Sequence, residues 1–226
     1  HQEGQGLTHR DDRVHLGAYT FTSRAAGATL CRVEDRGVTV SMVVDGGPVG
    51  GLSRREAEVL DRLAACGVRV IVLGGPHARF AFHHAKYAVV DDRVVVMTEN
   101  WKPSGSGGRS NRGWGVVIEN QQLADALSRV FATDTGWRDG IPWTEYRTDR
   151  DFDEGGSANG TYRAIHPPAG VRVDGVSLLV TPDNAEGRLV GILDNATDSI
   201  DVQQVTLGRP GNPLVRAILR AARRGV

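Results

Sequence analysis

The sequence predicts a layered α/β domain, on three observations. Residues 14–73 read as strand, helix, strand, helix, strand, an order that builds a sheet flanked by helices. Two of those strands, 38–44 (VTVSMVV) and 68–73 (VRVIVL), are mostly apolar and β-branched, which marks strands covered on both faces. Two further strands, 83–90 and 93–98, are parted only by Asp91 and Asp92, so a tight hairpin joins the sheet. Composition agrees: 226 residues, 40% apolar and 24% charged, suit a globular chain of one large or two small domains.

The elements follow in order. Residues 14–21 (VHLGAYTF) alternate well enough for a strand. A helix over 24–35 ends at Gly37, a stop signal. The strand 38–44 runs into a glycine-rich loop, Asp45-Gly-Gly-Pro-Val-Gly-Gly51. Ser53-Arg-Arg-Glu56 is a capping box, so the next helix starts there and runs to Cys66-Gly67, burying Leu60, Leu63 and Ala64. After the hairpin come a Gly/Ser/Pro loop at 102–111, a strand at 114–119 and a helix at 123–131. Periodicity then fails, and 136–170 read as an irregular connector. Order returns with a strand at 171–181, a helix at 184–197, a strand at 199–207 and a helix at 212–224.

The last part repeats the first. Val14-x-Leu16 with Tyr19-Thr20-Phe21 parallels Ile200-x-Val202 with Val205-Thr206-Leu207, and helix-Arg36-Gly37-Val38 parallels helix-Arg224-Gly225-Val226. The expected domains are therefore 1–135, the connector 136–170, and 171–226 as the opening of a second copy. Both ends of the chain, His1 and Val226, read as cut. With its sheet partners missing, 171–226 is expected to be poorly ordered or to dock imperfectly.

Composition narrows function little. Net charge is zero, so no global field favours nucleic acid or an acidic membrane. No run of about 18 apolar residues marks a membrane span. Cys31 and Cys66 read as small buried thiols, with a disulfide left open. The cations are 25 Arg and only 2 Lys, and one lysine, Lys86, lies in the chemically richest stretch, His84-Ala-Lys86-x4-Asp91. A lysine there suits a site that wants a compact point charge.

Side chains two apart on a strand share a face, so His84 and Lys86 are expected to project together. A neutral imidazole can attack a phosphodiester and form a covalent phosphoryl intermediate. Lys86 would hold the non-bridging oxygens, with Thr98 and Asn100 adding neutral donors. A second proton-carrying group must serve the leaving oxygen and later the water. His77, His83 and His84 lack the spacing of a metal site. Chance produces H-x-K-x4-D in roughly one such sequence in 200, so its place before a hairpin and an Asn-Trp pair adds weight.

On these residues, 14–135 resembles one catalytic half of the phospholipase D superfamily, marked by H-x-K-x4-D followed by G-S-x-N; Thr98-Glu99-Asn100-Trp101 stands at the second motif. DGGPVGG, HHAKYAVVD and TENWKPSG are similar to archaeal members, often secreted, and 171–226 look like the start of the second half. The resemblance implies an α/β/α sandwich with a mixed sheet. It also implies metal-independent hydrolysis or transfer through a phosphohistidine, without cofactor. By it, His84 is the nucleophile or its general-acid counterpart, Lys86 binds phosphate, Asp91 orients the network, and Asn100 and Thr98 contact phosphate. The substrate is then a phospholipid or a nucleic acid, and the partner a second such motif, in the same parent chain or a homodimer mate. That motif is expected about 46 residues beyond Val226, the interval from Val38 to His84. Alone, the chain is expected to be inactive. Two positions depart from the pattern: Met97 replaces a glycine, and Asn111-Arg-Gly113 lacks the glutamate of N-x-E that bonds the histidine. Glu99 or Glu119 could substitute. A non-catalytic phosphate- or nucleic-acid-binding module is the alternative reading.

Overall fold

The computed structural model describes residues 13–105, 111–153, 170, 173, 175–204 and 206–226. Two compact units divide the chain, 1–173 and 174–226. The first contains β1 (Arg13–Ala18), α1 (Arg24–Glu34), β2 (Thr39–Asp45), α2 (Arg54–Ala65), β3 (Arg69–Leu73), β4 (Tyr87–Val90), β5 (Arg93–Met97), β6 (Gly115–Glu119), α3 (Gln121–Thr135), β7 (Gly140–Pro142) and α4 (Trp143–Tyr146). Its sheet runs β6-β5-β4-β1-β2-β3-β7. The central strands β1, β2 and β3 are parallel, and the flanking strands join them antiparallel. The expected mixed sheet with helical layers is therefore the observed fold.

Alternate residues of the parallel strands decide which layer each face meets. Val14, Leu16, Ala18, Val40, Met42, Val44, Val70 and Val72 pack with Leu30 of α1 and Val59, Leu60 and Leu63 of α2. The intervening residues point the other way. There His15 stacks on Phe131 of α3 with ring centroids 4.4 Å apart and meets the Ser128 hydroxyl at 3.2 Å.

The capping box forms by half. Ser53 accepts from the Glu56 backbone N–H at 3.2 Å, as its sequence position requires. The Glu56 carboxylate turns instead to the Phe21 N–H at 2.6 Å, buried between the exit of β1 and the first turn of α2. Burial lifts this carboxyl to about 7, and nearby Asp45 adds to the rise, against the Phe21 bond and Lys102.

Three expectations for the first unit are corrected. Cys31 and Cys66 are not free thiols; they form a disulfide, Cα atoms 5.6 Å apart. The two helices follow successive parallel strands, which sets Cys31 of α1 beside Cys66 at the C-cap of α2. The connector 136–170 also begins with order. β7 adds an edge strand to β3, with its proline at the edge where a ladder donor is not needed. α4 then buries Trp143 and Tyr146, and Trp143 Nε1 donates to Asp61 at 2.8 Å. Finally, the strand expected from residue 83 starts only at Tyr87. β1 ends at Ala18, one residue beyond the partner of Tyr87, and the His83 N–H is taken by the Asp45 carboxylate.

The second unit holds α5 (Ala185–Asp194) and α6 (Pro213–Arg224). Asn212 caps α6, accepting from Leu214 and Val215; Pro213 opens the helix and Gly225, at φ 94°, closes it. Arg220 forks onto Asp194 at 2.9 and 2.7 Å, and Arg224 donates to the Leu193 and Ala196 carbonyls at 3.5 and 3.2 Å. The strands expected at 171–181 and 199–207 do not form among the described residues; 171, 172, 174 and 205 lie outside them. A strand needs a neighbour for its backbone, and β1 has β2 and β4. No described segment of the second unit offers one to 199–207.

Candidate active site

The ends of β1 and β2 and the start of β4 lie at one end of the sheet, because Gly17 pairs with Tyr87 and Ala18 with Val44. Gly17 is required there: a Cβ would stand 2.4 Å from the Tyr87 ring. The Asn100-Trp101 segment joins this end. The Trp101 carbonyl accepts from the Thr22 and Ser23 N–H groups, each at 3.0 Å, and Trp101 bridges to Phe21.

His84 and Lys86 sit just before β4. Met97 N–H donates to the Lys86 carbonyl at 2.9 Å, carrying the ladder one step past the strand. The Lys86 ammonium donates to the His84 carbonyl at 2.7 Å and lies 5.0 Å from the Tyr19 ring centroid. The His84 ring meets the same tyrosine at 4.3 Å, tilted by 59°. The two side chains therefore converge on one aromatic ring, though no strand carries them. His84 is exposed, whereas Lys86 is 6% exposed.

Electrostatics follow from that contrast. Burial lowers the Lys86 ammonium to about 8, against the pull of nearby Glu99. His84 is also lowered, first by partial burial and then by Lys86, with Asp45 opposing. The imidazole is therefore held neutral and the ammonium charged at neutral pH. His83 is turned inward: its backbone N–H donates to Asp45, its ring bonds the Ala18 backbone, and burial lowers it.

The remaining sequence candidates divide. Asn100 stands at this end of the sheet, and its Oδ1 is buried without a protein hydrogen bond. Thr98 stands at the same sheet end, but its hydroxyl accepts the Trp114 N–H at 2.8 Å. Glu99 lies near Lys86 and accepts from Asn111 Nδ2 at 3.2 Å. Its side chain fills the space beside Gly113, where a Cβ would stand 2.1 Å from Glu99 Cγ. Met97, the other departure, closes the β5 ladder opposite Gly115. Glu119 is elsewhere, paired with Arg93 at 3.1 Å. Asp91 is also elsewhere: it occupies the hairpin turn at φ 54°, at the far end of β4 from Lys86. Four residues at about 3.3 Å each separate the two.

Sequence reasoning missed Tyr19 and Asp45. Tyr19 and Asp45 reach the site by topology, from positions 65 and 39 residues before His84, as the numbering gives. The one available signal was their place at strand ends. Among the described residues, no group of three or more His, Cys, Asp or Glu could hold a metal ion, and no helix is long and apolar enough to cross a membrane.

Residues 6–135 match the family described as cardiolipin synthase, PLD-like domain. Among solved structures, a phospholipase D family member, Nuc from Salmonella typhimurium, is similar at 23% identity, covering 58% of this chain and 82% of that one with a TM-score of 0.51. NucT from Helicobacter pylori is similar at 18% identity, covering 57% and 81%, with a TM-score of 0.49. No curated protein matches the chain.

Proposed function

The chain belongs to the PLD-like domain family, part of a superfamily that processes phosphodiesters, and on that premise we propose that it carries one histidine half-site of a phosphodiesterase. The observation that carries this reading is an exposed imidazole beside a buried lysine, both against one tyrosine ring.

In this mechanism an imidazole nitrogen of His84 attacks phosphorus. A P–N bond forms and the P–O bond to the leaving group breaks. Lys86 offsets the charge on the non-bridging oxygens, and its shallow burial makes that charge count for more than it would in water. Asn100 donates its side-chain amide N–H to the same oxygens. Glu99, in the space where Gly113 carries no side chain, serves as counter-charge to Lys86. Asp91 acts through the hairpin that delivers β4. The leaving oxygen takes its proton from a second histidine motif, in a continuation of the chain or a homodimer mate, and that group then activates water. Phosphoryl-linked phospholipid and nucleic acid both satisfy this chemistry.

The experiment uses bis(4-nitrophenyl) phosphate, whose leaving group departs without a general acid. The 226-residue chain should release a burst of about one nitrophenolate per His84 and stop, leaving a phosphorylated peptide that contains His84. The burst rate should fall above pH about 8, as Lys86 loses its proton. His84→Ala should abolish both burst and adduct. An undiminished burst in that variant removes the nucleophile assignment, and diester binding without release leaves a phosphate-binding module.

A further inference from the structure

Resting on that reading of His84, we infer that Tyr19 is its positioning residue: the ring fixes the imidazole, and the phenol oxygen ties that ring to the 45–51 loop. Among the described residues no carboxylate hydrogen-bonds the His84 ring, so the usual way of orienting a catalytic histidine is absent from this half-site. The tyrosine supplies another. Its ring is 8% exposed, beneath an exposed imidazole whose centroid lies 4.3 Å away. Phe82 closes against it edge-on at 6.0 Å, and Lys86 Nζ lies 5.0 Å from its centroid.

A ring gripped on these sides has little freedom to turn, so the imidazole that rests on it has a defined plane. The Lys86 ammonium is bound to the same arrangement through the ring and the His84 carbonyl. Ring contact alone would be met by phenylalanine. The hydroxyl adds a second link, because it accepts the Val49 N–H at 2.7 Å. The tip of that loop otherwise bonds only to itself, Gly51 N–H donating to the Pro48 carbonyl at 2.7 Å; Gly50 and Gly51 take φ of 89° and 76°, and Val49 is 82% exposed. Asp45 anchors its start by accepting the Gly47 N–H at 2.8 Å and the His83 N–H. The loop and the histidine segment are thus joined twice, at Asp45 and at Tyr19.

The test follows the His84 imidazole by NMR in the 226-residue chain, comparing wild type with Tyr19→Leu and Tyr19→Phe. In Tyr19→Leu the imidazole loses its ring contact. Its titration midpoint should rise toward the ordinary value of about 6.5, its ring-current shifts should vanish, and the nitrophenolate burst should slow by about 10- to 100-fold. Tyr19→Phe should restore the midpoint while speeding amide exchange at Val49. The inference is overturned if Tyr19→Leu, still folded by circular dichroism, leaves the midpoint and shifts unchanged. It is equally overturned if Tyr19→Phe displaces the midpoint or leaves Val49 exchange as it was, a result that stands even if Tyr19→Leu does not fold. Failure of the parent reading looks different: the burst then survives His84→Ala, whatever Tyr19 does to the titration.

Discussion

The two units begin from the same sequence pattern and arrive at different outcomes. Both contain strand-like and helix-like segments in matching order, yet α1 and α2 are embedded against a sheet while α5 and α6 pack without one among the described residues. The difference lies in where each element finds its partners. A helix closes its hydrogen bonds internally and needs only its caps, which Asn212 and Gly225 provide for α6. A strand must borrow its partners from distant sequence. The helices of the second unit are locally specified, whereas 199–207 form no strand among the described residues.

Core truncation should expose that contrast most strongly. Leu60 of α2 is fully buried, so Leu60→Ala should cost about 3–4 kcal/mol in urea unfolding. Leu219 of α6 is 46% exposed, and Leu219→Ala should stay within about 0.5 kcal/mol. Equal losses would make the two units equally packed and break the comparison.

Next in size is the disulfide, which spans a sequence separation of 35 residues within the first unit. Paired Cys31→Ala and Cys66→Ala changes should lower stability by about 3 kcal/mol. Hydrogen exchange should quicken in α1 and α2 and remain unaltered in α5 and α6. Loosening of α6 in that variant would mean the units share one cooperative transition.

The smallest effect concerns pH. Glu56 has a folded value of about 7, above its ordinary 4.5, so the folded state holds a proton that the unfolded state has lost between those values. Stability therefore declines as pH rises from about 4.5 to 7, by on the order of 2 kcal/mol. Glu56→Gln keeps an acceptor for the Phe21 N–H and should flatten that slope. The ion pair of the second unit, Asp194 with Arg220, is exposed, and α5–α6 protection should not change over the window. A slope that survives Glu56→Gln assigns the titration to another group.

How much of this could be read from the residues alone follows the same division. β2, β3, both capped helices and the hairpin were legible because β-branched runs, Ser53 and the Asp91-Asp92 turn act locally. β7 was not: Gly-Ile-Pro has no periodicity and becomes a strand only because β3 offers an open edge. The start of β4 was misplaced because Asp45, 38 residues earlier, captures the His83 N–H. For Cys31 and Cys66 the sequence left a disulfide open, and only the two helices lying side by side decide it. In the site, His84 and Lys86 were legible by spacing, but the ring that unites them was not. Tyr19 looked like one more aromatic at the end of a strand, and the space for Glu99 beside Gly113 exists only once the 99 and 113 segments meet.

The turn at Asp91 carries a consequence for how such chains diverge. Its φ of 54° and its N–H bonded to the Arg13 carbonyl at 3.3 Å are backbone properties. Asparagine and glycine enter that region as readily. The final letter of H-x-K-x4-D is thus under a steric constraint of the backbone. Drift at the turn can proceed through Asn or Gly without displacing the His84 and Lys86 side chains, so a related chain can lose the written signature while this pair keeps its place on the Tyr19 ring.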